Sequence, residues 1–76
     1  MKHTPRTPPD WLDTQERLAW RGSQRWRSAD RKRIYTYDSV HGHIEVFNHR
    51  GVHLGVADID TGQWIDGPVP GRRIDV

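Results

Sequence analysis

From Arg33 onward the chain is written as short runs of β-branched and aromatic residues, RIYTYDS, HIEVFN, VHLGVAD and QWI, separated by Gly42, by HRG at 49–51 and by DTG at 60–62. Runs of four to eight such residues closed by glycine-bearing turns read as strands, and connections this short join antiparallel neighbours. The economical topology is an antiparallel meander of about four to five strands. The end, GPVPGRRIDV, is too rich in Pro and Gly for a central strand. With 76 residues and no cysteine there is room for one small domain without disulfide staples, and a chain of this length buries only about 60 % of its unfolded surface. Hydrophobic residues make up 33 % and mean hydropathy is −0.94, so four Trp, two Tyr and one Phe must anchor a thin core.

The first third reads differently. TPRTPP is proline-broken, which predicts a flexible arm over residues 1–8 ahead of a single domain at 9–76. Asp10 is placed to cap a helix over WLDTQERLAW, with Gly22 as its stop. The expected fold is therefore α+β, an N-terminal helix packed on a small twisted antiparallel sheet. No stretch is apolar enough to span a membrane, and MKHTPRTPPDW lacks the apolar core of a secretory signal, so any export would need a carrier or a non-standard route.

The formal net charge of +2 conceals an asymmetry: residues 1–34 carry nine Lys/Arg against four Asp/Glu, residues 35–76 three against six. In WRGSQRWRSADRKR, Arg21, Arg25, Arg27, Arg31, Lys32 and Arg33 interleave with Trp20 and Trp26. Cations beside aromatic rings suit a phosphate backbone with stacked bases; a solvated flank over two core tryptophans is the plain alternative.

The chemistry concentrates in YDSVHGHIE, Tyr37 to Glu45. If two strands form a hairpin with Ser39 opposite Gly42, antiparallel pairing sets Asp38 against His43, Thr36 against Glu45 and Ile34 against Phe47. Asp38 and Glu45 then share one face, while Tyr35, Tyr37, Ile44 and Val46 take the other and pack on the helix. A two-residue turn at Val40 and His41 would force positive φ on a valine, so a four-residue loop from Ser39 to Gly42 is expected, with His41 leaning over the sheet. Two carboxylates and an imidazole on one face suit acid/base cleavage of a phosphodiester, with Arg72 or Arg73 near the developing charge. The same residues also make an ordinary turn and a solvent-facing strand, and four histidines, His41, His43, His49 and His53, raise a weaker metal reading.

RKRIYTYDSVHGHIE, then GVHLG, then DTGQWIDGPVPGRRI resembles the C-terminal cytotoxic ribonuclease domain of the ribosome-inactivating E-type colicins (the E-three kind) and cloacin, over about residues 31–74. That family's pattern runs Arg-Lys-Ile-Tyr, Trp-Asp-Ser-x-His-Gly-x-x-Glu, Gly-x-His-Leu-Gly, Thr-Gly and Gly-Pro-x-Pro before a terminal arginine. The resemblance implies a metal-independent endoribonuclease, without cofactor, that cuts small-subunit ribosomal RNA in the decoding centre and stops translation. Asp38, His41, Glu45 and Arg72 fall on its catalytic positions. Arg25, Arg27, Arg31, Lys32, Arg33, Tyr35 and Arg73 are expected to bind RNA, Tyr35 either beneath the site or on a base. This sequence departs from the pattern in a shorter loop after Glu45, in Tyr37 where the family has Trp, and in Gly71 where it has Lys; a one-residue shift of the tail would exchange Arg72 and Arg73.

The resemblance further implies two partners, the ribosome and a small acidic immunity or antitoxin protein, and a cytoplasmic site of action. Either a free-standing intracellular toxin or a domain delivered from another cell within a larger toxin fits. The reading from a different class is a non-catalytic RNA- or ribosome-binding module of a toxin–antitoxin pair.

Overall fold

The computed structural model describes residues 3–20 and 23–76; within them the chain is a single six-stranded antiparallel meander, β1 (Glu16–Trp20), β2 (Ser23–Arg27), β3 (Arg33–Asp38), β4 (His43–Asn48), β5 (His53–Asp58) and β6 (Trp64–Asp66), in sheet order 1-2-3-4-5-6. None of the described residues forms an α-helix, and no helix is long and apolar enough to cross a membrane.

The expected N-terminal helix, and with it the α+β class, is overturned. Asp10 does cap: its side chain accepts from the Leu12 amide, and Asp13 reciprocates on the Asp10 amide. The helical segment is one 3-10 turn, Trp11–Thr14, ended where Gln15 turns extended. From Glu16 the chain becomes β1, each residue paired from Glu16↔Arg27 to Trp20↔Ser23. A ten-residue helix is marginal by itself, whereas a strand here gains a complete ladder with β2, and tertiary pairing overrides the helical propensity of Glu, Arg, Leu and Ala. Gly22, the expected helix stop, and Arg21 lie outside the described residues.

The β3–β4 hairpin has the anticipated register: Ile34↔Phe47, Thr36↔Glu45 and Asp38↔His43. Its four-residue loop closes with the Gly42 amide on the Asp38 carbonyl at 2.8 Å, Gly42 taking φ +70°. One face of the sheet is the core, formed by Trp26, Tyr35, Ile44, Val46 and Ala57 under Leu12, which is fully buried. Tyr35 is 4 % exposed and meets Trp11 edge-on at 5.1 Å. The apolar face thus falls where alternation puts it, but the 3-10 turn, through Trp11 and Leu12, packs on it instead of a helix. Trp64 reaches across β5 at Gly55, where a Cβ would come within 2.3 Å of its ring. Any side chain at residue 55 would displace this half-exposed tryptophan.

The opposite face is polar in the middle and apolar at one side. Arg27 pairs with Ile34, so Arg25, Arg27, Ile34, Thr36 and Asp38 lie on that face together. Between β4 and β5 the register shifts after Val46: Val46↔Gly55 is followed by Phe47↔His53, leaving Leu54 as an extra residue. This bulge determines what lies under the site.

Candidate active site

Asp38, His41, His43, Glu45, Val56, Ile65, Asp66 and Arg72 line an open cavity of about 610 Å³ on the polar face. Asp38 ends β3, and its carboxylate does two jobs. Oδ1 accepts the Val40 amide at 3.0 Å, setting the loop, while Oδ2 meets His41 Nδ1 at 2.7 Å. Partial burial pushes the Asp38 carboxyl up, but the His41 ring and the Val40 and His41 amides outweigh it and hold the group below the usual aspartate value. An ionised Asp38 fixes the His41 proton on Nδ1 and leaves Nε2 for exchange with a substrate. The His41 side chain is 69 % exposed and stacks on His43, ring centroids 6.4 Å apart.

Glu45 sits at the centre of β4. Its Oε1 accepts Arg72 Nη1 and its Oε2 contacts His53 Nε2, both at 2.5 Å. The His53 side chain is wholly buried, and its Nδ1 accepts the Val69 amide at 2.9 Å. A neutral imidazole that accepts at Nδ1 carries its proton at Nε2, so His53 donates to Glu45 and holds the carboxylate at a fixed angle. Phe47 packs edge-on against the His53 ring at 5.2 Å. His53 therefore spends both ring nitrogens inside the protein. Among the described residues, no three His, Asp or Glu side chains are arranged to share a metal ion.

Sequence reasoning placed Asp38, His41, Glu45 and Arg72 together, and all four line the cavity. It met His53 as one of four scattered histidines and within the family-like GVHLG stretch, and gave it no role at the site. By strict alternation along β5, His53 would join Ala57 on the core face; the extra residue at Leu54 transfers it to the face of Phe47 and Glu45. A glycine two residues on, in VHLGV, was the available sign of an irregular strand.

The other expected contacts divide between the two faces. Arg25, Arg27 and Arg31, with Leu18, Ile34, His49 and Val76, line a second groove of about 340 Å³ on the cavity's side of the sheet. Arg25 is 8 % exposed and Nη1 donates to the Asp75 carbonyl; burial lowers its pKa. Arg27 pairs with Glu16 at 2.9 Å. Arg31, at φ 62°, and Lys32 are exposed on the β2–β3 turn. Arg33 and Tyr35 lie on the core side: Arg33 covers the Trp64 ring at 5.3 Å, and Tyr35 is buried, which leaves its ring no face for a base. Arg73 makes a β-bridge with Val52 and does not line the cavity.

A family model described as Cytotoxic matches residues 11–75. Three curated proteins of Escherichia coli are similar to the chain: cloacin, 41 % identical over 51 residues; colicin E3, 40 % over 52; and colicin-E6, 39 % over 51. These stretches are 66 %, 67 % and 66 % of this chain, and they span 9 % of the length of each relative.

Proposed function

The chain belongs to the Cytotoxic family, and from that membership and the cavity we propose that it is an endoribonuclease toxin that cleaves small-subunit ribosomal RNA in the decoding centre. The observation that carries this reading is that Asp38, His41, Glu45 and Arg72, separated by up to 34 positions in the sequence, line one cavity. In the proposed reaction Glu45 removes the proton of a ribose 2′-OH. That oxygen forms a bond to the adjacent phosphorus as the bond from phosphorus to the 5′-oxygen breaks. His41 Nε2 gives its proton to the leaving 5′-oxygen. Arg72, which pairs with Glu45, turns its guanidinium to the non-bridging oxygens, where charge accumulates. The products are a 2′,3′-cyclic phosphate and a 5′-OH. His41 enters the step as the imidazolium: Asp38 holds its Nδ1 proton and stabilises its charge, and the Nε2 proton is the one given up, leaving a neutral imidazole. DNA lacks the internal nucleophile and is inert.

Nothing in this scheme uses a metal ion, so cleavage should persist in excess EDTA; its loss, restored by a divalent cation, would remove the metal-independent mechanism. The relatives' toxin names, and the exposed cations at Arg31 and Lys32, support two partners for this chain: the ribosome, and a small acidic protein that neutralises the toxin in the producing cell. The site of action is then the cytoplasm, reached by synthesis there or by delivery from another cell. The deciding experiment adds the purified chain to intact bacterial ribosomes and maps new 5′ ends. One break in the decoding region is expected; intact RNA at high enzyme excess refutes the reading.

A further inference from the structure

Residues 1–8 were expected to form a flexible arm; residues 3–10, which include its described part, lie outside the stretch matched by the family. In the structure they run under the loop that carries His41. The Thr4 amide donates to the Ser39 carbonyl at 2.6 Å, and the Tyr37 hydroxyl donates to the Thr4 carbonyl at 2.6 Å. His3 Nδ1 meets the Ser39 hydroxyl at 2.9 Å. These bonds reach the residues on both sides of Asp38.

The far end of the arm is anchored separately. Arg6 makes a two-point contact with Asp10 at 2.8 Å and reaches Asp13 at 2.9 Å, and its guanidinium covers the Trp26 ring at 4.7 Å. The Arg6 and Asp10 side chains are only 13 % and 3 % exposed, so this anchor is a part-buried ion pair tied to the core. A segment fixed to the core at Arg6 and to Ser39 at Thr4 transmits the position of the core to the loop. The loop needs such support, because His41 is exposed and, among the described residues, its ring meets Asp38 and His43. Tyr37 stands where the resembled family pattern has Trp, and an indole has no hydroxyl to give to Thr4.

We propose that residues 3–6 are a positioning strap for the Asp38–His41 pair, with the Thr4 backbone and the Tyr37 hydroxyl as its working contacts. This rests on the ribonuclease reading for its kinetic consequence, but not for its structural one. The strap holds the loop in the conformation that presents His41, so its loss lowers turnover and leaves substrate binding, which the loop does not carry, nearly unchanged.

The test uses the full chain with Thr4→Pro, which deletes the donated N–H, Thr4→Ser, which keeps it, and Tyr37→Phe, which keeps the ring. Thr4→Pro and Tyr37→Phe should each lower kcat on ribosomes about tenfold, with KM within about twofold, as expected for a misplaced catalytic group. Amide hydrogen exchange at Val40, His41 and Gly42 should accelerate about tenfold in the same two variants and not in Thr4→Ser. Unchanged exchange in Thr4→Pro and Tyr37→Phe overturns the strap whatever the kinetics, and so does an equal loss in Thr4→Ser. If no chain, wild type included, cleaves ribosomal RNA, the ribonuclease reading fails and the exchange data alone decide the strap.

Discussion

Asp38–His41 and Glu45–His53 are both carboxylate–imidazole pairs, at 2.7 and 2.5 Å, within one site of one small sheet. The first is carried by a hairpin loop, its imidazole 69 % exposed; the second is carried by facing strands, its imidazole wholly enclosed and its carboxylate 13 % exposed. The difference corresponds to two tasks in the proposed reaction. A proton donor must be reachable from outside and able to follow a leaving group, which a loop imidazole can do. A base must be aimed at one oxygen, and Glu45 is held between His53 beneath and Arg72 beside it. In the exposed pair the imidazole is the reagent and the carboxylate the support. In the buried pair the roles are exchanged.

The largest effect should come from removing the reagent of either pair. His41→Ala and Glu45→Gln should each reduce ribosome cleavage by about 10²- to 10⁴-fold, with the circular dichroism spectrum unchanged and RNA affinity nearly so. Arg72→Ala should cost less than these and more than Arg73→Ala, since Arg73 does not line the cavity. Unimpaired cleavage by either of the first two variants would remove that residue from the mechanism.

The supports should separate the pairs next. His53→Ala leaves the Val69 amide and Glu45 without their buried partner, so it should lower stability by about 1–3 kcal/mol and lower turnover as well. His41→Ala, at an exposed loop position, should change stability by no more than about 0.5 kcal/mol. Equal melting temperatures for the two variants would dissolve the distinction between an exposed pair and a structural one.

How much of this the sequence discloses depends on how local the cause is. The β3–β4 hairpin was legible because alternation, the turn residues Asp38, Ser39 and Gly42, and constant-sum pairing all act within fifteen residues; they gave the register and the shared face of Asp38 and Glu45. The segment from Trp11 to Trp20 was misread because its residues favour helix, and the outcome is decided by β2, which it must pair with. His53 was hidden by the bulge at Leu54, which changes the face of one residue without changing the composition of the strand. The arm was read as free because prolines forbid regular structure, but they do not forbid single hydrogen bonds to Ser39 or an ion pair at Arg6.

A smaller effect is expected from acid. The Asp38 carboxyl is held below its ordinary value by the His41 ring and the loop amides, against burial, which pushes it up. A carboxyl depressed in the folded state contributes stability that is present above the unfolded value, about 3.9 for aspartate, and that is lost as pH falls through the folded value. Lowering the pH through this range should therefore loosen the Ser39–Gly42 loop, read as faster amide exchange at Val40, before the sheet unfolds. Asp38→Asn should remove that step. A loop whose protection follows global unfolding at every pH would show that Asp38 is not its separate support.

The smallest change should follow from the cations furthest from either pair. Arg31 and Lys32 project from the exposed β2–β3 turn, and Arg31 also lines the groove beside Ile34 and His49. If RNA follows the polar face from that groove to the cavity, each neutralised phosphate contact should contribute about one unit to the dependence of log affinity on log salt. Replacing both with glutamine should therefore flatten that slope by up to about two units and weaken ribosome binding, while turnover at saturating ribosome stays within about twofold, since neither pair has been touched. The same change at Arg33 should matter less, because its guanidinium lies over Trp64 on the opposite face. A larger loss from Arg33→Gln than from the Arg31 and Lys32 double replacement would put the RNA on the core side of the sheet, out of reach of both pairs, and the cavity could not then be where the strand is cut.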